Sequence, residues 1–176
     1  MRFLFPTLLP IAMIATQADG ARAVPDQRAN PQIDYLAFTR LVEKLGPVRQ
    51  AYRLDWPEFS AAAKADGAIL LDTRSAADFA RGHLAGAVNL PFSEFTDAKL
   101  RAVLGSNLNR AIYIYCNNNF SDNRAPVVSK RAPLALNIPT FINLHGYGYG
   151  NVWELADIVS IADHDVDWQA APRPGT

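Results

Sequence analysis

The residue best suited to chemistry in this sequence is Cys116, the one cysteine among 176 residues. The reactive form of cysteine is the thiolate, and a free thiol titrates near ~8.5. Cys116 directly follows the apolar residues 111–115, which are typical of a buried strand. Backbone N–H groups converge where a strand leads into a helix, and a helix N-terminus stabilises anions. The pattern favours a nucleophilic Cys116, and the alternative is an inert thiol buried at a strand end.

The residues that follow Cys116 are mostly polar and are candidates for binding an anionic substrate. Asparagine adopts left-handed backbone conformations more readily than most residues, and its amide donates hydrogen bonds. We expect the backbone N–H groups of residues 117–123 to cradle the substrate and Arg124 to steer it. The predicted substrate-binding set is Asn117, Asn118, Asn119, Phe120, Ser121, Asp122, Asn123 and Arg124. A solvated turn without a binding role is the alternative.

The other titratable residues indicate no metal or cofactor chemistry. The three histidines, His83, His145 and His164, are scattered and lack the spacing of metal ligands. The chain also lacks a glycine motif that cradles phosphate. We therefore predict neither a metal nor a cofactor. A formal net charge of zero argues against a nucleic-acid partner, which would require a basic surface.

Residues 145–150 form a glycine-rich segment with aromatic side chains. His145, Tyr147 and Tyr149 are expected to lie at the same rim as Cys116, where they would close a pocket. The alternative is that the glycines of this segment serve only to allow a tight turn.

Residues 1–23 have the pattern of a secretory signal peptide, with a positively charged start, a mostly apolar stretch at 3–15 and a small-x-small cleavage site at 21–23. We expect cleavage after Ala23 and a periplasmic or secreted protein. No later segment approaches ~18 unbroken apolar residues, which predicts no stable membrane insertion after cleavage. An uncleaved membrane anchor is the alternative.

Short apolar strands alternate with helices along the rest of the chain. Strands are predicted at residues 51–54, 68–71, 88–90, 111–115 and 141–144. Helices are predicted at residues 33–45, 56–64, 76–81, 97–104, 124–136 and 152–161. This alternation indicates an α/β fold with a central parallel sheet of about five strands and helices on both faces. Ligands bind beyond the carboxyl ends of such strands, which is where Cys116 stands.

Prolines and glycines set the expected boundaries. Gly46 and Pro47 are expected to end the first helix, Asp55 to cap the second, and Pro133 to kink or shorten the helix at 124–136. The predicted organisation is a signal peptide (1–23), a linker and helix (24–50), one domain (51–162) and a flexible tail (163–176).

Two segments resemble the rhodanese (sulfurtransferase) superfamily. Residues 70–91 carry Asp-x-Arg, Gly-His-hydrophobic-x-Gly-Ala and Asn-hydrophobic-Pro in the family's order, and residues 112–116 resemble its strand that ends in the catalytic cysteine. Residues 144–153 resemble, less closely, the family's late Leu-x-Gly-Gly…Trp stretch. Within the first segment, Asp72, Arg74 and His83 are interpreted as structural residues: a strand cap, its ion-pair partner and a turn histidine.

The resemblance implies a rhodanese-like fold and a ping-pong sulfur transfer. Cys116 would take a sulfane sulfur from a small donor such as thiosulfate, become a persulfide and pass the sulfur to a thiol or cyanide acceptor. The loop after Cys116 departs from the family pattern, because it has no glycine, places Ser121 where an arginine or threonine is usual and has its first basic residue at Arg124. The loop is also longer than is usual in the family, which predicts a wider pocket, so the donor need not be thiosulfate.

Two other functions stay open at this stage. One is a non-catalytic binding module of the same fold in a periplasmic redox or stress system, because fold alone does not establish function. The other, less favoured, is a phosphatase, which would need arginine where this chain has Asp122. The donor, the acceptor and the oligomeric state are not predicted.

Overall fold

A five-stranded parallel sheet forms the centre of the fold. The computed structural model describes residues 30–170, and its strands in chain order are β1 (Arg53–Leu54), β2 (Ile69–Asp72), β3 (Gly82–Leu84), β4 (Val88–Asn89), β5 (Ile112–Tyr115), β6 (Val152–Leu155) and β7 (Trp168–Ala170). The central sheet has the order β1-β6-β5-β2-β4 with every pair parallel, and β3 pairs with β7 antiparallel. The predicted α/β class with a parallel sheet is confirmed.

Helices cover both faces of this sheet. They are α1 (Tyr35–Ala51), α2 (Trp56–Ala63), α3 (Ala76–Arg81), α4 (Asp97–Leu104) and α5 (Asn137–Gly146). Alternate side chains of β5 point to opposite faces, as in any strand. Ile112 and Ile114 pack in a cluster with residues of α1, α4 and α5, whereas Tyr113 and Tyr115 pack in a second cluster with residues of α2.

Side-chain caps place the start of three helices where the sequence predicted them. Asp55 caps α2 by accepting the N–H of Glu58, Ser75 caps α3, and Thr96 caps α4. Each cap satisfies one of the N–H groups that the first turn of a helix leaves without a partner.

The first helix does not end at Gly46 and Pro47 as predicted but continues to Ala51. Proline removes one helical hydrogen bond. Leu45, just before these two residues, is buried, and Arg49, just after them, forms an ion pair with Glu154. Both contacts hold this part of the helix against the rest of the protein.

Three predicted elements in the second half are wrong. Residues 124–136 are not a helix but an irregular connection that includes one short 3₁₀ turn, Ala132–Leu134. Residues 141–144 belong to α5 and not to a strand, and residues 152–155 form β6 and not the start of a helix. Short apolar runs fit either structure, and here tertiary packing decided. We call residues 120–136 the strap.

The segment from Asp163, predicted as a flexible tail, is ordered as far as Ala170. Val166 is buried, and β7 pairs with β3. The predicted signal peptide (1–23), residues 24–29 of the predicted linker and residues 171–176 lie outside the described residues. Residues 30–34 form a hydrogen-bonded turn of their own. Within residues 30–170, no helix has the length and apolar character needed to cross a bilayer.

Candidate active site

Cys116 directly follows β5, which is the central strand of the sheet, so it lies where the carboxyl ends of the strands meet. Its side chain is 1% exposed. Three backbone N–H groups donate hydrogen bonds to its sulfur, one from Asn118 and two from Leu136 and Asn137 at the start of α5. The sulfur is therefore surrounded by amides from both ends of the connection between β5 and α5.

The surroundings of Cys116 do not make its thiol acidic. Burial raises the pKa of the Cys116 thiol above its ordinary value, because apolar surroundings disfavour the thiolate. The three amide hydrogen bonds lower this pKa in part, and the carboxylate of Glu154 raises it further. Backbone N–H groups therefore surround the sulfur, as the sequence predicted. The raised pKa, however, favours the protonated thiol and not the predicted thiolate in the resting protein.

Asn119, predicted to bind substrate, holds the site together instead. Its Oδ1 accepts the N–H of Cys116 at 2.9 Å and the side-chain amide of Asn137 at 3.0 Å. Its Nδ2 donates to the carbonyls of Leu155 at 2.9 Å and Asp157 at 3.1 Å. All four hydrogen-bonding positions of this buried amide are occupied, which leaves none for a ligand.

The structure turns Phe120, Ser121 and Asp122 away from Cys116. Phe120 is 2% exposed and packs in the cluster on the α2 face. Ser121 bonds to the carbonyl of Val159, and Asp122 accepts hydrogen bonds from residues 160–161. These three side chains therefore do not contact Cys116, and the predicted substrate-binding role of this segment stays a prediction. A phosphatase clamp is also not formed, because Asp122 stands where such a clamp needs arginine and accepts hydrogen bonds from Ser160 and Ile161.

The other asparagines fasten the strap across the site. Asn117 donates to the carbonyl of Val128 at 2.7 Å, and Asn118 both donates to and accepts from the backbone of Lys130. Asn123 has a positive φ of 44° and accepts the N–H of a strap residue. These side chains bind backbone, so the asparagine run sets the course of the chain.

A cleft of about 570 Å³ opens beside the buried sulfur. It lies beyond the carboxyl ends of β2 and β4 and under the strap, and its lining includes Thr73, Pro91, Phe92, Asn117, Lys130 and Leu136. Arg124 does not line the cleft, since it is 72% exposed and lies 3.9 Å from Asp122. Lys130 of the strap lines the cleft instead, and the predicted steering role of Arg124 stays a prediction.

Asp72 and Arg74 form a buried ion pair below this cleft. The Arg74 guanidinium bonds both carboxylate oxygens of Asp72, at 2.6 and 3.0 Å, and the carbonyls of Gly82 and Pro126. The hydroxyl of Tyr115 also donates to Asp72 at 2.7 Å. The Pro126 contact ties the strap to the sheet, so these residues hold the site in shape without reaching the sulfur.

His83 holds the turn after α3. Its Nδ1 lies 2.9 Å from the carbonyl of Phe79, and the two rings stack with centroids 3.8 Å apart.

The segment at 145–150 does not share the rim of Cys116, contrary to expectation. It connects α5 to the beginning of β6, and β6 runs parallel to β5. Cys116 follows the end of β5, so Cys116 and the segment at 145–150 lie at opposite ends of the parallel strands. The hydroxyls of Tyr147 and Tyr149 bond to carbonyls of Phe95 and Gly105 there.

Sequence reasoning missed Glu154, Arg49 and Asn137. Glu154 is 1% exposed in β6 and is paired with Arg49 of α1. A charged residue in the apolar run at 152–155 was the available signal. Asn137 has a buried Oδ1 with no hydrogen-bond partner among residues 30–170. In that same range no group of His, Cys, Asp and Glu side chains could hold a metal ion.

The fold and this site define an α/β domain with one cysteine cradled by amides at the carboxyl edge of its sheet. The family model of the Rhodanese-like domain matches residues 55–156, which is more than half of the chain, so the protein belongs to this family. Among curated proteins, none matches the chain.

Similar solved structures share only modest likeness with this chain. The Alr3790 protein from Anabaena sp. is 17% identical, with 58% of this chain and 68% of that chain covered and a TM-score of 0.42. The BH2092 protein from Bacillus halodurans is 20% identical, with 72% and 75% covered and a TM-score of 0.40. The human single-domain sulfurtransferase TSTD1 is 21% identical, with 60% and 88% covered and a TM-score of 0.42.

Proposed function

We propose that the protein is an exported sulfurtransferase that carries a sulfane sulfur as a persulfide on Cys116. The observation that carries this proposal is the cradle of three backbone N–H groups on the sulfur, from Asn118, Leu136 and Asn137. Amides directed at one atom stabilise negative charge that develops there, and both the thiolate and the persulfide anion carry such charge.

The transfer is balanced without an added oxidant or reductant. Cys116 first loses its proton to solvent, and the thiolate attacks the outer sulfur of a donor such as thiosulfate. A sulfur–sulfur bond forms to Cys116, the donor's own sulfur–sulfur bond breaks, and sulfite leaves with the electron pair. An acceptor thiolate or cyanide then attacks the outer sulfur, and the Cys116 thiolate is released.

Access to Cys116 requires the strap to move. Cys116 is 1% exposed and does not line the cleft, whereas Asn117, which follows it, and Leu136, whose N–H faces the sulfur, do line the cleft. Side-chain hydrogen bonds from Asn117 and Asn118 hold the strap down, and such bonds each contribute only about 0.5–1.5 kcal/mol. The cleft accepts a small donor, and Lys130 gives it a cation for an anionic one.

The proposal is tested by intact mass. The purified protein is incubated with thiosulfate or with 3-mercaptopyruvate, and its mass is measured before and after dithiothreitol. We expect a gain of one sulfur atom that dithiothreitol removes and that Cys116→Ser abolishes while circular dichroism shows an intact fold. Absence of the adduct with both donors, in protein whose Cys116 still alkylates, would contradict the proposal.

The second candidate is a non-catalytic module of the same family that serves a periplasmic redox or stress partner. It is favoured by one observation, the burial of Cys116 with its raised pKa. In this case Cys116 of the folded protein would alkylate no faster than global unfolding exposes it, and the rate would track added urea. An alkylation rate independent of low urea concentrations would favour the enzyme.

A further inference from the structure

A carboxylate is buried in the central sheet close to the reactive cysteine. Glu154 lies in β6, between β1 and β5, and is 1% exposed. The Arg49 guanidinium pairs with both of its oxygens, through Nε to Oε1 and through Nη2 to Oε2 at 2.7 Å. A buried carboxylate needs such a partner, because desolvation of an unpaired charge is costly. Arg49 is supplied by α1, which precedes the part of the chain that matches the family model.

Strand register places Glu154 beside Cys116. Glu154 is in register with Ile114, and Val152 with Ile112, in the parallel pair of β5 and β6. Both isoleucines and Val152 pack in the same cluster, so Glu154 and Cys116 extend from the same face of the sheet by strand alternation. One strand across and two residues along a parallel sheet correspond to about 8 Å between the two backbone positions. At that distance the charge of Glu154 is felt at the sulfur.

We propose that Arg49 and Glu154 are positioning residues for Cys116, whose ion pair sets the net charge beside the sulfur and so the pH range in which Cys116 reacts. The inference deepens the proposed function, on which it rests for the role of Cys116 as nucleophile.

Among residues 30–170, few other charged groups lie near the pair of Arg49 and Glu154, so these two residues dominate the local charge. Arg53 of β1 also lowers the pKa of Glu154 through its charge, but it is exposed and forms no hydrogen bond or ion pair with that carboxylate. Helix α5 presents the uncharged residues Asn137 and Thr140 at this depth. Asp72 and Tyr115 bond each other on the opposite face. The direction of the effect agrees, since Glu154 raises the pKa of Cys116, and Arg49 offsets part of the increase that burial causes in the pKa of Glu154.

The test is the pH dependence of Cys116 alkylation by iodoacetamide, which needs no sulfur donor. Glu154→Gln removes the negative charge and should move the midpoint to lower pH by about one and a half units, the effect of one charge at this distance in a protein of effective dielectric ~20. Arg49→Gln leaves Glu154 ionised in the alkaline range where the thiol titrates, and should move the midpoint to higher pH. The double variant should lie close to wild type.

Lys44→Gln is the matched control, because it removes a cation from an exposed position of the same helix. Its midpoint should not move. If Arg49→Gln fails to fold because it leaves Glu154 buried without a partner, Glu154→Gln and the double variant still give the comparison with wild type. Midpoints of Glu154→Gln and Arg49→Gln that coincide with wild type in folded protein would overturn the inference. A shifted midpoint in a protein that never forms a persulfide would instead overturn only the proposed function.

Discussion

The side-chain oxygen of Asn119 accepts a hydrogen bond of 2.9 Å from the backbone N–H of Cys116, which lies three residues earlier in the chain. The same oxygen accepts from Asn137, and the amide nitrogen reaches the carbonyls of Leu155 and Asp157. One side chain therefore joins the end of β5, the end of β6 and the start of α5. The geometry around the sulfur depends on this junction.

Replacement of Asn119 is expected to destabilise the fold. Asn119→Ala removes the side-chain partner of the N–H of Cys116, of the buried carbonyl of Leu155 and of the half-buried carbonyl of Asp157, which costs about 1–3 kcal/mol for each group that water cannot reach. Urea unfolding should show a free energy lower by roughly 2–4 kcal/mol. Asn118→Ala, at a half-buried position that bonds the strap, is the control and should lose less than about 1.5 kcal/mol. Equal losses would contradict the central role of Asn119.

Gly82 is predicted to be irreplaceable for steric reasons. Its φ of 165° is ordinary extended backbone, but a Cβ there would lie 2.6 Å from Nε1 of Trp168. Gly82→Ala should therefore displace β7 and cost about 1–3 kcal/mol in thermal or urea unfolding. Gly46→Ala is the matched control, because nothing lies within 4 Å of that Cβ, and alanine should stabilise α1 by about 0.5–1 kcal/mol. A neutral Gly82→Ala would mean that Trp168 does not pack as described.

Lys130, and not Arg124, is expected to govern the use of an anionic donor. Lys130 lines the cleft with its backbone fixed by Asn118, whereas Arg124 is 72% exposed and points to Asp122. Lys130→Gln should raise KM for thiosulfate about three- to tenfold, the effect of one charge in a partly solvated cleft. Turnover with a neutral donor should change little, and Arg124→Gln should leave both donors nearly unaffected. A larger effect of Arg124→Gln would reverse this assignment.

Stability should fall at alkaline pH because of Cys116. Its pKa is higher in the folded protein than in the unfolded chain, mainly through burial, so the folded state holds the proton more tightly. The contribution is fully present below the unfolded pKa of ~8.5 and is lost as pH rises through the folded value. Unfolding free energies measured from pH 7 to pH 10 should decline more steeply in wild type than in Cys116→Ala.

The buried tyrosines provide the background for this measurement. The pKa values of Tyr113, Tyr115 and Tyr149 are also raised by burial. Their contribution is common to wild type and Cys116→Ala and cancels in the difference. Parallel curves for the two proteins would show that Cys116 titrates normally in the fold.

Local sequence patterns determined much of the architecture. The apolar runs that became β2 and β5 and the Asp55 cap of α2 each act within a few residues, so they could be recognised without the fold. The position of Cys116 after a buried strand followed from the same information. The motifs at 70–91 and 112–116 also led to the correct family.

Only the tertiary structure decided what the residues around Cys116 do. Residues 141–144 and 152–155 are short apolar runs that fit a helix or a strand equally well, and packing made the first a helix and the second a strand. As a result, the loop with Tyr147 and Tyr149 lies at the opposite end of the strands from Cys116, and Glu154 lies in the strand next to the one that Cys116 follows. The polar run after Cys116 looked like a ligand site, but most of its side chains found backbone partners distant in sequence. Such partners are set by the chain's path in space, which no local pattern encodes.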